Sequence, residues 1–303
     1  MHQRPQRPRR SQLAVPGSDD KKMAKAAQSR ADHVFLDLED AVAPSAKKPA
    51  RQQIVTALTT LDWGHKVRCV RINDLETRYA YGDIIEVVSG ARDKLDVLMI
   101  PKVKRAADVI WVDILLSQLE ADLGLDRPIG IEVLIEEVEA MMRVEEIAFS
   151  SPRLEALIFG MGDYSASQGI DVRAIGGATS YPGDLWHYQR NKMVIAARAA
   201  GIDPIDGPFG NFRNEEGYRE ECRRALTLGC VGKWAIHPAQ IEPALEIFTP
   251  DPADVARARK MDEAYAEAEA AGIGAIQVDG VLVDAASVRI QRNIVRRANL
   301  VGV

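Results

Sequence analysis

Short apolar runs and longer amphipathic stretches alternate along most of this chain, and that alternation restricts the available folds more than any other feature. The apolar runs are Gln12–Val15, Val34–Leu38, Val67–Ile72, Val97–Pro101, Gly130–Ile135, Ala156–Phe159, Ile202–Ile205 and Lys233–Ile236. Runs this short and this uniformly apolar suit parallel strands covered on both faces. The stretches between them, such as Ala46–Leu58, Ala106–Leu119, Glu137–Ala148 and Glu215–Leu228, read as helices. Eight strand–helix units predict an α/β fold of the (β/α)8 TIM-barrel type. The eighth unit, and the lack of a Rossmann-type glycine fingerprint, weigh against an open doubly wound sheet.

After Pro250 the pattern changes. Asp251-Pro252-Ala253-Asp254 has a capping acid, a proline at the first helical position and an acid at the third, which predicts a helix to about Ala271 and Gly272. Ala275–Val278, Asp279-Gly280 and Val281–Val283 then read as a hairpin with a type I′ turn, followed by a last helix over Ala285–Ala298. An appendage of about 50 residues is too small to rely on its own core. The expected division is therefore a barrel domain over residues 1–250 and an extension over 251–303 that docks on the barrel or on a neighbouring subunit.

Composition narrows the function classes. The chain has 303 residues, 47% hydrophobic and 27% charged, which suits one large globular α/β protein. A net charge of −5 argues against a nucleic-acid partner. The basic start, Arg4 to Arg10, reads first as a solvated tail and second as a local anion site. Three scattered cysteines, Cys69, Cys222 and Cys230, form no CxxC pair and fit a reducing, cytoplasmic setting. No secretory h-region is visible, and no run approaches the ~20 apolar residues of a membrane helix, so no membrane partner is expected.

Barrel enzymes carry their chemistry at the C-terminal ends of the strands. Here those ends read Asp37-Leu38-Glu39-Asp40, Arg71-Ile72-Asn73, Pro101-Lys102, Glu132 to Glu136, Gly160-Met161-Gly162-Asp163, Asp206-Gly207-Pro208 and His237-Pro238. So many acids on one rim would repel one another unless a cation sits among them. Glu136 and Asp163, at the ends of adjacent strands and with no His or Cys cluster beside them, are the best metal pair. Hard oxygen donors of this kind favour Mg²⁺, with Mn²⁺ as the alternative, over Zn²⁺. The bland alternatives are a helix-opening acid for Glu136 and an N-cap for Asp163. Arg71 can bind a carboxylate or steady an oxyanion, or it can be a structural partner of Glu39 or Asp40; both hold if those acids orient it. Lys102 has a similar reading against a plain salt bridge. His237 reads as a packed loop histidine before it reads as a base, and Gly207 and Gly210 as shapers of the Pro208-Phe209 loop.

In order and spacing, these motifs resemble the citrate lyase β-subunit and malyl-CoA lyase family. The strings are Leu36-Asp37-Leu38-Glu39-Asp40-Ala41-Val42, Val70-Arg71-Ile72-Asn73, Ile100-Pro101-Lys102-Val103, Glu132 to Glu136, Asp206-Gly207-Pro208-Phe209-Gly210, Gly232 to Pro238 and Leu282 to Ser287. The match runs from about Ser11 to the C-terminus and is nearest to the malyl-CoA and β-methylmalyl-CoA lyases. The resemblance implies a barrel whose extension caps a neighbouring subunit in a homotrimer or homohexamer. It implies Mg²⁺ on Glu136 and Asp163, Arg71 at the reacting oxygens, and Asp284 as the acid/base group. From its own residues, Asp284 is as easily the N-cap of the last helix.

Two departures bear on coenzyme A. Relatives often carry Arg after Pro-Gly-Ser, at a CoA phosphate, whereas Asp19 follows Ser18 here; Lys21, Lys22 or Lys25 could substitute, since phosphate accepts a point charge. Lys102 is a second candidate CoA contact. The segment Gly177–Trp186 is also shorter than in many malyl-CoA lyases.

The function this implies is reversible cleavage of a 3-hydroxyacyl-CoA, L-malyl-CoA or β-methylmalyl-CoA, to acetyl-CoA or propionyl-CoA and glyoxylate or a related 2-oxo acid. Alternatives are a malyl-CoA thioesterase using water at the same site, a citryl- or citramalyl-thioester lyase subunit, and a non-catalytic CoA-binding scaffold. The complete set of Arg71, Glu136, Asp163 and Asp284 argues against the last.

Overall fold

A computed structural model describes residues 4–171 and 181–303. Residues 177–180 of the segment Gly177–Trp186 lie outside the described residues. Eight parallel strands close into a barrel in sequence order: β1 (Ser11–Pro16), β2 (His33–Asp37), β3 (Val67–Arg71), β4 (Val97–Ile100), β5 (Gly130–Ile135), β6 (Leu154–Phe159), β7 (Asp203–Asp206) and β8 (Gly232–Ala235). β8 returns to pair with β1, Trp234 opposite Gln12, so no edge is left open. The predicted (β/α)8 architecture is the observed one. The strand ends lie within two residues of the predicted ones, whereas helix Ala106–Leu123 runs four residues past the predicted Leu119, and the helix predicted over Glu137–Ala148 is divided into Val138–Met142 and Val144–Ala148.

Side-chain alternation divides each strand between two cores. Phe35, Cys69, Met99, Leu134, Ile158, Ile205 and Trp234 fill the barrel interior. Leu36, Val70, Leu98, Val133, Leu157 and Phe159 face outward, into a larger core with the surrounding helices. Each such apolar side chain contributes roughly 1.5–3 kcal/mol of burial free energy. Because both faces are covered, the strands read as continuous apolar runs rather than as alternating ones.

The chain divides into two compact units, one of Arg9–Glu246 with the residues up to Pro5 and one of Gln6–Pro8 with Ile247–Val303. In the second, helix Pro252–Ala270 starts as its sequence predicts: Asp251 caps it by accepting from Ala253 N and Asp254 N, with Pro252 at the first position. β9 (Ala275–Val278) and β10 (Val281–Asp284) pair antiparallel. Asp279 (φ +49°) and Gly280 (φ +80°) both take left-handed backbone, as a type I′ turn requires. Met261, Tyr265, Val278, Val283 and Val288 form a small core within this unit. Among the described residues, no helix is long and apolar enough to cross a membrane.

The basic start is not a solvated tail. Arg9 is 2% exposed at the N-terminal end of the barrel. Its guanidinium donates to Glu132 at 2.7 Å, to Glu155 at 2.5 Å and to Asp203 at 3.0 Å. Arg10 forks onto Asp32, and Arg4 donates to the carbonyls of Pro152 and Ala200. For Arg9 and Arg10 the cause is position: they immediately precede β1, and the strand starts around them are acidic.

Candidate active site

Alternation along β2 turns Phe35 and then Asp37 into the barrel, and along β3 it does the same for Cys69 and Arg71. Asp37 and Arg71 meet across this register as a bidentate pair, with Nε and Nη2 each 2.7 Å from a carboxylate oxygen. Burial alone would raise the Asp37 carboxyl, but the guanidinium and the N–H groups of Glu39 and Ala41 hold it below the usual range. Phe35 and Trp234, with ring centroids 4.4 Å apart, floor the pair. The guanidinium lies 5.8 Å and 5.6 Å from their centroids, a cation–π arrangement. The remaining nitrogen, Nη1, faces the acids, 2.9 Å from Glu39 and 3.8 Å from Asp40.

Lys102 follows β4 with φ +50°, a left-handed backbone that costs a residue with a side chain about 1 kcal/mol. This conformation aims its N–H at Glu136 Oε1, 2.8 Å away. Its ammonium reaches Glu39 at 2.6 Å, Asp40 at 3.6 Å and Asp163 at 3.9 Å. Glu136 follows β5 and is buried, whereas Asp163, in the first turn of helix Met161–Gln168, has a half-exposed carboxylate. Gly160 makes room for the pair: a Cβ there would stand 2.5 Å from Glu136 Oε2.

The electrostatics of this rim are unbalanced. Burial, together with the Glu39 and Asp163 carboxylates, pushes Glu136 up to about 8 despite Arg71 and the Lys102 N–H. Burial pushes Glu39 up to about 7, helped by Asp40 and opposed by Arg71 and Lys102. Glu39 Oε2 is buried without a well-aligned hydrogen bond. Carboxylates held this close gain from a small divalent cation. The donors beside Glu136 and Asp163 are oxygens, so Glu136 and Asp163 fit Mg²⁺ or Mn²⁺ better than a soft metal.

The structure therefore brings together Arg71, Glu39, Asp40, Lys102, Glu136 and Asp163, six residues the strand-end reading singles out. It adds Asp37, which that reading quotes but gives no role; the signal was its parity with Phe35 and its register with Arg71. Two acids are corrected off the rim. Glu132 faces inward but at the other end of the barrel, where Arg9 and Gln12 donate to it. Asp206 follows the inward-facing Ile205 and so points outward, to Arg190 at 2.8 Å and Lys233 at 2.6 Å.

His237 is an exposed loop residue rather than a packed one: its ring stacks on Phe212 at 4.5 Å and its Nδ1 accepts from Ala239 N. Asp19, where relatives carry Arg, caps helix Asp20–Ala27 by accepting from Lys22 N. Lys25 stands exposed in the last turn of that helix. Asp284, in the second unit, caps the last helix by accepting from Ala286 N and Ser287 N. These bonds hold its carboxyl below the usual range. His33, Cys69 and Glu132 also place donor atoms within 4.8 Å of one another. Glu132 is committed to Arg9 and Gln12 there, which makes the trio part of a buried ion-pair network.

The HpcH/HpaI aldolase/citrate lyase family matches residues 10–238. The L-malyl-CoA/β-methylmalyl-CoA lyase of Cereibacter sphaeroides is 46% identical, over 98% of this chain and 96% of its own. A (3S)-malyl-CoA thioesterase of the same species is 35% identical, over 97% and 96%. Protein CitE from Mycobacterium tuberculosis, solved in complex with magnesium, acetoacetate and coenzyme A, superposes with a TM-score of 0.72 and 27% identity, over 95% of this chain and 97% of that one.

Proposed function

Because the chain belongs to the HpcH/HpaI aldolase/citrate lyase family, we propose that it reversibly cleaves L-malyl-CoA or β-methylmalyl-CoA to acetyl-CoA or propionyl-CoA and glyoxylate, with Mg²⁺ at Glu136 and Asp163. The observation that carries this reading is the rim itself: a buried Glu136 crowded by other carboxylates beside an Arg71 clamped in place. Mn²⁺ is the alternative ion, and Glu39 and Asp40 support Arg71 and Lys102 from behind.

Bound there, Mg²⁺ supplies Lewis-acid polarisation and a template for the substrate oxygens. Arg71 steadies the charge that builds on the reacting oxygens. Its clamp to Asp37 and its aromatic floor keep the guanidinium from swinging away, so little reorganisation is needed. Asp284 takes the hydroxyl proton as the carbon–carbon bond breaks. The bonding pair passes to the thioester enolate, the hydroxyl carbon becomes the aldehyde of glyoxylate, and Asp284 returns the proton to the enolate carbon. Its two cap bonds favour the carboxylate, the form that accepts a proton. Lys25, with Lys21 and Lys22, offers point charges for the phosphates of CoA.

We place the assembly as a homotrimer or homohexamer, with residues 251–303 capping the neighbour's barrel. The exposed Tyr81, Ile85, Ile110, Trp111 and Ile114 on two helices that pack together support self-association. Three buried free cysteines suit the cytoplasm. The thioesterase relative keeps hydrolysis as the second reading, ahead of a citryl- or citramalyl-thioester lyase. Products decide between the first two: glyoxylate and acetyl-CoA for lysis, free malate and CoA for hydrolysis. Subunit exchange tests the shared site. Asp284→Ala and Glu136→Gln chains, each inactive alone, should regain part of the activity when mixed. No recovery despite proven exchange overturns a site built from two chains.

A further inference from the structure

Lys102 touches both residues placed at the metal, through two different atoms: its N–H holds Glu136 Oε1, and its ammonium approaches Asp163. A glycine would meet the left-handed backbone at this position without strain. What the lysine adds is therefore its ammonium, and that group is spent on Glu39, Asp40 and Asp163. We propose that Lys102 is the resident counter-cation of the rim: its ammonium neutralises the acids while the metal is away, and competes with Mg²⁺ for them when it arrives.

This inference rests on the metal reading above and deepens it. Among the described residues, the cations that Asp37, Glu39, Asp40, Glu136 and Asp163 face are Arg71 and Lys102. Arg71 is tied to Asp37 by two bonds and cannot follow the changing charge. Lys102 has a long, flexible stem and one compact charge. It can give up Asp163 at 3.9 Å while keeping Glu39 at 2.6 Å. Its backbone N–H stays on Glu136 throughout, so the metal's buried carboxylate keeps its orientation while the charge beside it moves. The same lysine thus sets how tightly Mg²⁺ is held. A rim with Arg71 but without this ammonium would bind the ion more strongly and give it up less readily.

The test is calorimetric titration of MgCl₂ into metal-stripped protein at pH 8, with thermal melts alongside, for wild type, Lys102→Met, Lys102→Gly and Lys102→Arg. Both neutral variants keep the N–H, and the glycine also relieves the backbone. They should bind Mg²⁺ on the order of tenfold more tightly, since a unit positive charge 3.9 Å from Asp163 has been removed. Their metal-free melting temperatures should fall, and the rise on adding Mg²⁺ should be larger than in wild type. Lys102→Arg keeps the charge and should stay within about twofold of wild type. Unchanged or weaker Mg²⁺ binding in both neutral variants overturns the proposal. Unchanged Mg²⁺ affinity with weakened CoA binding overturns it in favour of a CoA contact. No Mg²⁺ binding by wild type sinks the metal reading itself, and this inference with it.

Discussion

Glu132 and Glu136 sit on the same stretch of chain, both turned into the barrel and both buried, yet they are perturbed in opposite directions. Burial alone would raise either one. At the N-terminal end, His33 and Arg9 overcome it and hold Glu132 at about 2. At the C-terminal end, Glu39 and Asp163 add to it and leave Glu136 at about 8. Four residues of strand carry the chain about 13 Å, from an end that supplies a cation to an end that asks for one. The first arrangement serves stability, and the second leaves charge to be satisfied by something that binds.

Substitution at both ends should separate these roles. Glu136→Gln removes a proposed metal ligand, so turnover should fall by about 10³-fold or more and Mg²⁺ titration should go flat. The same variant should melt higher than wild type at pH 8 without metal, because a buried charge is gone. Wild-type turnover in excess chelator would remove the metal from the mechanism.

Arg71→Lys keeps the charge but not the planar fork, and should lower kcat by about 10²–10³-fold with little change in CoA affinity. A near-normal kcat in that variant would contradict the role. Glu132→Gln should act on the fold instead. It leaves Arg9 short of a partner and should cost about 3–5 kcal/mol in denaturant unfolding, with the folded fraction still active. Loss of activity without loss of stability would show that the two ends are not separate.

The smallest of these effects is in the pH dependence. Glu136 has a folded value of about 8 against an ordinary 4.5. Its protonated form is the one the metal-free fold prefers, so stability is full below 4.5 and drains away as pH rises through 8. Glu132 runs the other way: its contribution is present above 4.5 and is lost as pH falls toward 2. The rise in melting temperature on adding Mg²⁺ should therefore grow between pH 6 and pH 8 by a few degrees. A flat or shrinking response would break the link between Glu136 and the ion.

Much of this was legible in the sequence, and the misses have one source. Continuous apolar runs locate strands well, and the eight strands fall where the runs do. What a run does not show is depth and parity. Glu132 and Glu136 both belong to the fifth strand end as a string of letters, but only one stands at the rim. Asp206 follows an inward isoleucine and so turns outward, to Arg190 and Lys233. Asp37 was visible yet given no role, because its importance lies in the register of β2 on β3, a relation between distant residues. Arg9 looked solvated because a run of arginines carries no sign of the Glu132, Glu155 and Asp203 that gather around it.

The aromatic floor under Arg71 has a practical consequence. Trp234 is buried, donates its indole N–H to Gln12, and lies 5.6 Å from the Arg71 guanidinium. Indole emission responds to nearby charge, so the protein carries its own optical gauge of the rim. The chain has four tryptophans, Trp63, Trp111, Trp186 and Trp234. Replacing the other three with phenylalanine leaves a single indole whose colour and lifetime should follow the ions and acyl groups proposed to bind above it, with no label attached and no turnover required.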